Sequence, residues 1–167
     1  MTSRLSLFLA CLACVFGLAG CGSSASSDQA APPPSANTVP AAKSFAKYWV
    51  GALNQATTTG NTKQLLALSG PKCQVCTDFA KALKQIYSAG GHVETKGWKV
   101  TNVIPIAGQS LKHPGFQVVA TISPQKVYRS KGAKVQTYGG GHQGMRMFLT
   151  RSGDKWLVES IEIAQGS

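Results

Sequence analysis

The residues with the most definite chemistry in this sequence are a cysteine and the small residues before it. A single arginine is followed by an uncharged, apolar run over residues 5–18, and two small residues, the second of them Gly20, precede Cys21. A positive start, a short apolar core and small residues at its end are typical of a secretory signal peptide. The sequence therefore predicts a signal peptide over residues 1–20, cleaved between Gly20 and Cys21.

The segment Leu18-Ala19-Gly20-Cys21 and the run before it resemble the precursors of bacterial lipoproteins. The resemblance implies a diacylglyceryl thioether on Cys21 and a further acyl chain, such as palmitate, on its amino group. Two or more acyl chains anchor a protein durably, so we expect the chain on the extracytoplasmic face of the cell membrane. A transmembrane anchor and an ordinary signal peptide are the alternatives, and the Ser/Ala/Pro-rich sequence after Cys21 carries no stop-transfer pattern that would support the first.

Cleavage changes the charge only slightly and leaves a strongly basic chain. The whole sequence has 17 basic and 6 acidic residues, and loss of Arg4 with the signal peptide leaves a net charge of +10. The basic residues are scattered without a tight run. Export argues against nucleic acid as a partner, and a basic surface is attracted to anionic lipid or to an anionic cell-wall polymer.

Cys73 and Cys76 are the two cysteines that remain in the domain. An even pair in an exported chain predicts a disulfide. Thiol–disulfide exchange is a second interpretation, because a helix N-terminus and the adjacent Lys72 would stabilise a thiolate. A redox site of this type needs a preceding strand, whereas a helical segment and Pro71 precede this pair. A metal site would need a second thiolate pair, which the sequence lacks.

The other candidate ligands do not form a recognisable site. His92, His113 and His142 are far apart in the sequence, and each lies in or beside a turn. The glycine run before His142 lacks the following Lys-Ser/Thr of a phosphate-binding loop. We therefore predict no metal and no cofactor.

Glu159 is the one carboxylate that the pattern places among apolar residues. It shares one face of a predicted strand with Leu157, Ile161 and Ile163. If this face lines a pocket, Glu159 could act as a catalytic base. The simpler interpretation is an ion pair with a residue such as Arg146, or a position at the solvent-facing rim.

The elements that must position these residues follow from composition and period. Residues 21–41 are rich in Ser, Ala and Pro and predict a disordered tether, and residues 42–167 predict a single domain. Apolar residues at helical spacing predict helices over 42–58 and 73–88, with a short helix between them that begins at an Asn61–Gln64 capping pair.

After the second long helix the apolar period changes to two. Turn signals separate four runs of this kind, over 98–106, 116–122, 145–149 and 157–163. Helices followed by a meander predict an α+β fold, with three N-terminal helices packed on one face of a curved antiparallel sheet.

This arrangement is similar to the nuclear transport factor 2-like cone fold. Four segments more closely resemble a family of actinobacterial lipoproteins without an assigned function: Phe45-Ala46-Lys47-Tyr48-Trp49, Thr59-Gly60-Asn61, Cys73-Gln74-Val75-Cys76 and Tyr87-Ser88-Ala89-Gly90-Gly91. The resemblance implies a membrane-attached envelope protein and brings no catalytic residues with it.

Three functions are compatible with these observations. A binding or interaction module, with an apolar small ligand in the cone or an envelope polymer on its surface, fits the tether and the basic charge. A cone-fold enzyme of the isomerase or dehydratase kind would use Glu159. The third possibility is an accessory subunit that docks an envelope enzyme through the open face of the sheet. We expect a binding or interaction module rather than an enzyme.

Overall fold

The structure, a computed structural model, describes residues 33–163, and it confirms the α+β fold class. The predicted signal peptide and Cys21 lie outside the described residues. Within the described range three helices precede seven strands. The helices are α1 (Val39–Thr59), α2 (Lys63–Ala67) and α3 (Gln74–Ser88). The strands are β1 (His92–Thr95), β2 (Trp98–Pro105), β3 (Gly115–Ile122), β4 (Gln125–Tyr128), β5 (Gln136–Tyr138), β6 (Gly141–Ser152) and β7 (Lys155–Ile163).

Helix α1 begins three residues before its predicted start. Thr38 Oγ1 accepts a hydrogen bond from the Ala41 N–H at 3.3 Å. Pro40 lies in the first turn, where a backbone N–H would have no partner within the helix, so the missing N–H of proline breaks no hydrogen bond. Gly60 ends the helix in the left-handed conformation, at φ 73°. Most of the predicted apolar face is buried, including Phe45, Trp49, Ala52, Leu53 and Ala56.

The first turn of α2 corrects the predicted capping pair. Asn61 Oδ1 does accept a hydrogen bond, from the Lys63 N–H at 3.2 Å. Gln64 turns away and donates instead to the Tyr48 hydroxyl of α1 at 2.8 Å. The polar side chain of Gln64 therefore joins α2 to α1, and the helix begins at Lys63 rather than beside Asn61.

Helix α3 lies within one residue of its predicted range, with Cys73 as the residue before its first turn. Cys76, Leu83 and Ile86 are buried as predicted. Phe79 is only half-buried, and its ring meets the Trp98 ring edge-on at a centroid distance of 6.5 Å. This contact brings α3 against the start of β2.

The strands form two antiparallel sheets, in the orders β2-β3-β6-β7 and β1-β4-β5. The smaller sheet continues the larger one around a bend, because each of its strands adjoins its counterpart in sequence through Lys96-Gly97, Ser123-Pro124 or Gly139-Gly140. The Ser123 N–H donates to the Gly97 carbonyl at 3.0 Å across the bend. Strands β1, β4 and β5 are absent from the sequence prediction, since each has only three or four residues.

A β-bulge in β2 reverses the predicted faces of that strand. The register with β3 shifts between Val100 and Asn102. One extra residue moves every later side chain to the opposite face. Val103 is consequently buried, and Ile104, which the alternation places inside, is 43% exposed.

A second bulge, in β7, overturns the predicted surroundings of Glu159. Phe148 pairs with Ser160 and Leu149 pairs with Val158, so Glu159 is the extra residue between them. Trp156, Val158 and Ile161 are the residues of this strand that enter the core. The prediction that Glu159 shares one face with Leu157, Ile161 and Ile163 is therefore wrong.

The residues just before α1 are bound to the hairpin of β6 and β7. Arg151 Nη1 donates to the Ser35 carbonyl at 2.7 Å, and the indole N–H of Trp156 donates to the Ala36 carbonyl at 3.0 Å. The Arg151 guanidinium lies 4.9 Å from the centre of a Trp156 ring. The contacts of the domain therefore begin before residue 42, its predicted start.

Candidate functional site

An apolar space that could take a ligand lies between the helices and the bent sheet. Helix α1 forms one wall of this space, and residues 79–86 of α3 form another. The helical residues that line it are Leu53, Thr57, Phe79, Ala82, Leu83 and Ile86. Thr57 does not present a free hydroxyl there, because its Oγ1 donates to the Leu53 carbonyl at 2.8 Å. The helical walls are therefore apolar.

The smaller sheet and the start of β2 line the same space on the side that faces the helices. The sheet residues that line it are Val93, Trp98, Gln125 and Val127. We call the space bounded by these helical and sheet residues the cone cavity. Two of its four sheet residues lie on β4, which the sequence does not predict, so sequence reasoning could anticipate a pocket but not this wall.

The volume of the cone cavity is about 150 Å³. An apolar cavity of roughly this size can hold a molecule such as benzene. Gln125 is the polar residue at the sheet side, where the cavity meets β5. The cavity therefore suits a small aromatic or branched aliphatic group, with any polar part directed toward β5.

Asn54 fixes the position of the Trp98 wall. Its Nδ2 donates to the Trp98 carbonyl at 2.9 Å, and its Oδ1 accepts from the Trp98 N–H at 2.8 Å. The carboxamide thereby satisfies both backbone groups of a residue at the sheet edge. Gly97 permits this approach, because a Cβ at that position would lie 2.6 Å from Asn54 Oδ1.

A larger depression of about 330 Å³ lies on the opposite face of the sheet. Its walls include Gln117 and Arg146, which point away from the core. Arg146 is already paired with Glu162, with 3.0 Å between Nη1 and Oε2. This depression is a solvent-facing surface, and we do not assign it a site.

Glu159, the candidate catalytic base, does not line the cone cavity. Its partner is His113, with 3.5 Å between Nδ1 and Oε2, and not Arg146 as the sequence suggested. The two side chains are 36% and 50% exposed. Glu159 also borders a separate hollow beside Gly70 and Thr150. The bulge of β7 thus directs the carboxylate away from the cone, and the sequence-based argument for an enzyme loses the position on which it depended.

Cys73 and Cys76 form a disulfide, with their Cα atoms 5.3 Å apart. Both residues are fully buried. The Thr77 hydroxyl donates to the Cys73 carbonyl at 3.2 Å. The disulfide therefore closes the first turn of α3 inside the core, where a thiol-exchange partner would have no access to the sulfur atoms.

Residues 33–163 contain no group of three or more His, Cys, Asp or Glu side chains that could hold a metal ion. His92 stacks on Tyr128, with ring centroids 4.3 Å apart, and its Nε2 lies 3.5 Å from Glu94 Oε1. Over the same range, no helix has the length and apolar character needed to cross a membrane.

The model of DUF6318, a family of unknown function, matches residues 31–162. The chain belongs to DUF6318. The match begins just before the segment that binds the β6–β7 hairpin and ends one residue before the last described residue. The DUF6318 match therefore spans nearly the same residues as the described structure. No curated protein matches it.

Several solved structures are similar to this DUF6318 chain at low sequence identity. The intermembrane space region of the chloroplast protein ARC6 superposes with a TM-score of 0.57 at 9% identity, over 77% of this chain and 98% of that one. The β subunit of benzoate 1,2-dioxygenase from Burkholderia mallei gives a TM-score of 0.47 at 11% identity, over 71% and 87%. A Caulobacter vibrioides protein with a cystatin-like fold gives 0.44 at 11% identity, over 72% and 87%.

Proposed function

We propose that this chain is a lipid-anchored envelope protein whose domain binds a small apolar ligand in the cone cavity. The observation that carries the ligand proposal is the cavity itself, which has apolar walls from α1, α3 and the bent sheet. The proposal of a lipid anchor rests on the sequence around Cys21. The family adds no assigned activity, so the argument depends on this chain's own residues.

The shape of the cavity supports binding more than a purely structural role. Well-packed interiors contain few voids larger than a water molecule. Here the half-buried Phe79 and Trp98 rings meet edge-on and leave space beside them. A ligand that filled this space would restore dispersion contacts for both rings. We therefore expect a ligand to bind there and to raise the stability of the domain.

The test is a titration with toluene, followed through the methyl NMR signals of the cavity residues. The protein is the full-length chain with Cys21→Ser, which carries no lipid. Saturable shifts at Leu53, Leu83 and Val93 are expected. Ala82 is exposed on α3 at the edge of the cavity, so Ala82→Phe can block the entrance without disturbing the core. We expect this variant to bind toluene at least about tenfold more weakly.

Lys84→Phe is the matched control, because Lys84 is exposed on the same helix and does not line the cavity. It adds the same aromatic ring and should leave toluene binding unchanged. Equal weakening by both variants, or no saturable shift in the parent chain, would contradict the ligand proposal.

A further inference from the structure

Arg129 has a charge that no carboxylate in the described chain neutralises. Its neighbour Lys126 pairs with Glu94, with 3.8 Å between Nζ and Oε2. By contrast, no ion pair within residues 33–163 includes Arg129. Its hydrogen-bond partners are neutral, so the full positive charge of the guanidinium is available to an anion.

The strand register and two side-chain hydrogen bonds place Arg129 beside the face of the smaller sheet that lines the cone cavity. Val127, which lines the cavity, pairs with Gln136, and Gln125 pairs with Tyr138. Partners in an antiparallel pair have their side chains on the same face, and residues two apart along a strand share it too. Gln136 and Tyr138 therefore extend the cavity face onto β5, and Arg129, one residue past the end of β4, joins this face by donating hydrogen bonds to both of them.

The same three residues hold one another in place. Arg129 Nε donates to Gln136 Oε1 at 2.6 Å, and Nη2 donates to the Tyr138 hydroxyl at 3.3 Å. The Tyr138 hydroxyl in turn donates to Gln136 Oε1 at 3.1 Å. A guanidinium has five N–H donors, so three remain without a partner among the described residues. Arg129 is thus oriented by neutral groups and still has donors for a ligand.

From this juxtaposition we propose that the cone cavity and Arg129 form one binding site for a small amphiphilic carboxylate. The apolar part of the ligand, an aromatic ring or a short branched chain, lies among Leu53, Phe79 and Trp98. Its carboxylate lies at the β5 edge and accepts hydrogen bonds from the Arg129 guanidinium. This proposal rests on the proposed function, because it requires the cavity to take a ligand.

The geometry favours a carboxylate over a neutral ligand for a physical reason. Charge-assisted hydrogen bonds from arginine are about twice as strong as neutral ones and can be bidentate. The apolar cavity walls remove much of an apolar group from water, while the exposed rim leaves the carboxylate partly hydrated. The ligand would therefore not have to bury an unpaired charge.

The test compares three phenylalkanoates, phenylacetate, 3-phenylpropanoate and 4-phenylbutanoate, with the three alcohols of the same chain lengths. Binding to the Cys21→Ser chain is measured by NMR titration at fixed ionic strength. We expect at least one carboxylate to bind about tenfold more tightly than its alcohol. Arg129→Gln should abolish this preference and leave the affinity for the alcohols unchanged.

Lys126→Gln is the matched control, because it removes the same charge three residues away on the opposite face of β4. It should retain the preference for the carboxylate. Loss of the preference in both variants would assign it to the general positive field of the protein and overturn the proposal. Equal binding of acids and alcohols by the parent chain would overturn it as well, while the cavity ligand remained supported. Failure of toluene and of all six compounds to bind would instead contradict the proposed function.

Discussion

At the scale of single residues, Asn54 shows how one polar side chain defines the candidate site. It lies on α1, 44 residues away from Trp98, and its carboxamide replaces the strand neighbour that the edge of β2 lacks there. Both atoms of the carboxamide are used. The contact fixes the backbone of Trp98, and therefore the place of its ring in the wall of the cone cavity.

We expect Asn54→Ala to lower the free energy of unfolding by about 2 kcal/mol, since it leaves two backbone groups of Trp98 without partners in a half-buried position. Urea denaturation measures this loss. Asn61→Ala is the control, because Asn61 is exposed and its side chain accepts one hydrogen bond, from Lys63. Its loss should be clearly smaller, at most about 1 kcal/mol. Equal losses in the two variants would contradict the role assigned to Asn54.

Glu159 illustrates what a residue pattern cannot foresee. Alternation along β7 placed it on an apolar face, but one extra residue in the strand turned it toward His113. Bulges depend on pairing between strands, which a single sequence does not display. The ring of polar contacts around Arg129 was beyond prediction for the same reason, since it depends on the register of two strands that are too short to recognise.

At the scale of elements, the long segments could be predicted and the short ones could not. Helices α1 and α3 and strands β3 and β6 bury most of the predicted residues, because their apolar period persists over five or more residues. The bend removes this advantage from β1, β4 and β5. Glycine or proline interrupts each continuous strand there, and the pieces that remain are too short to show a period of two.

Two glycines allow the packing of these elements to be tested. Gly91 lies directly before β1, and a Cβ there would collide with the Tyr128 carbonyl and with the backbone of Arg129. We expect Gly91→Ala to lower the free energy of unfolding by about 2 kcal/mol or more and to displace the end of β4.

Gly51 provides the opposite case. It is exposed in the middle of α1, and a Cβ there has no heavy atom within 4 Å. Gly51→Ala should raise the stability by about 0.5–1 kcal/mol, because alanine loses less conformational freedom on forming a helix. Thermal denaturation of both variants provides the measurement. A stable Gly91→Ala protein would show that β1 and β4 are less closely packed than described.

At the scale of the whole molecule, the proposed anchor makes a prediction that does not depend on the cavity. Replacing Cys21 by serine removes the thiol to which a lipid would be attached. We therefore expect less of the protein in the membrane fraction and no incorporation of labelled fatty acid. Cell fractionation and metabolic labelling measure the two effects.

Cys73→Ala with Cys76→Ala is the control for that experiment, because it removes the other two cysteines of the domain and leaves the proposed lipidation site. This variant should keep its label and remain with the membranes. Labelled Cys21→Ser protein would contradict the proposed attachment at this residue.

The segment bound to the β6–β7 hairpin has a mechanical consequence. A force applied to the chain at residue 33 reaches Ser35 and Ala36 before it reaches α1, and their carbonyls are held by Arg151 of β6 and Trp156 of β7. Strand β6 is paired on both sides, with β3 and with β7. Tension would therefore be distributed over the larger sheet, while α1, α3 and the cone cavity between them bear little of the load.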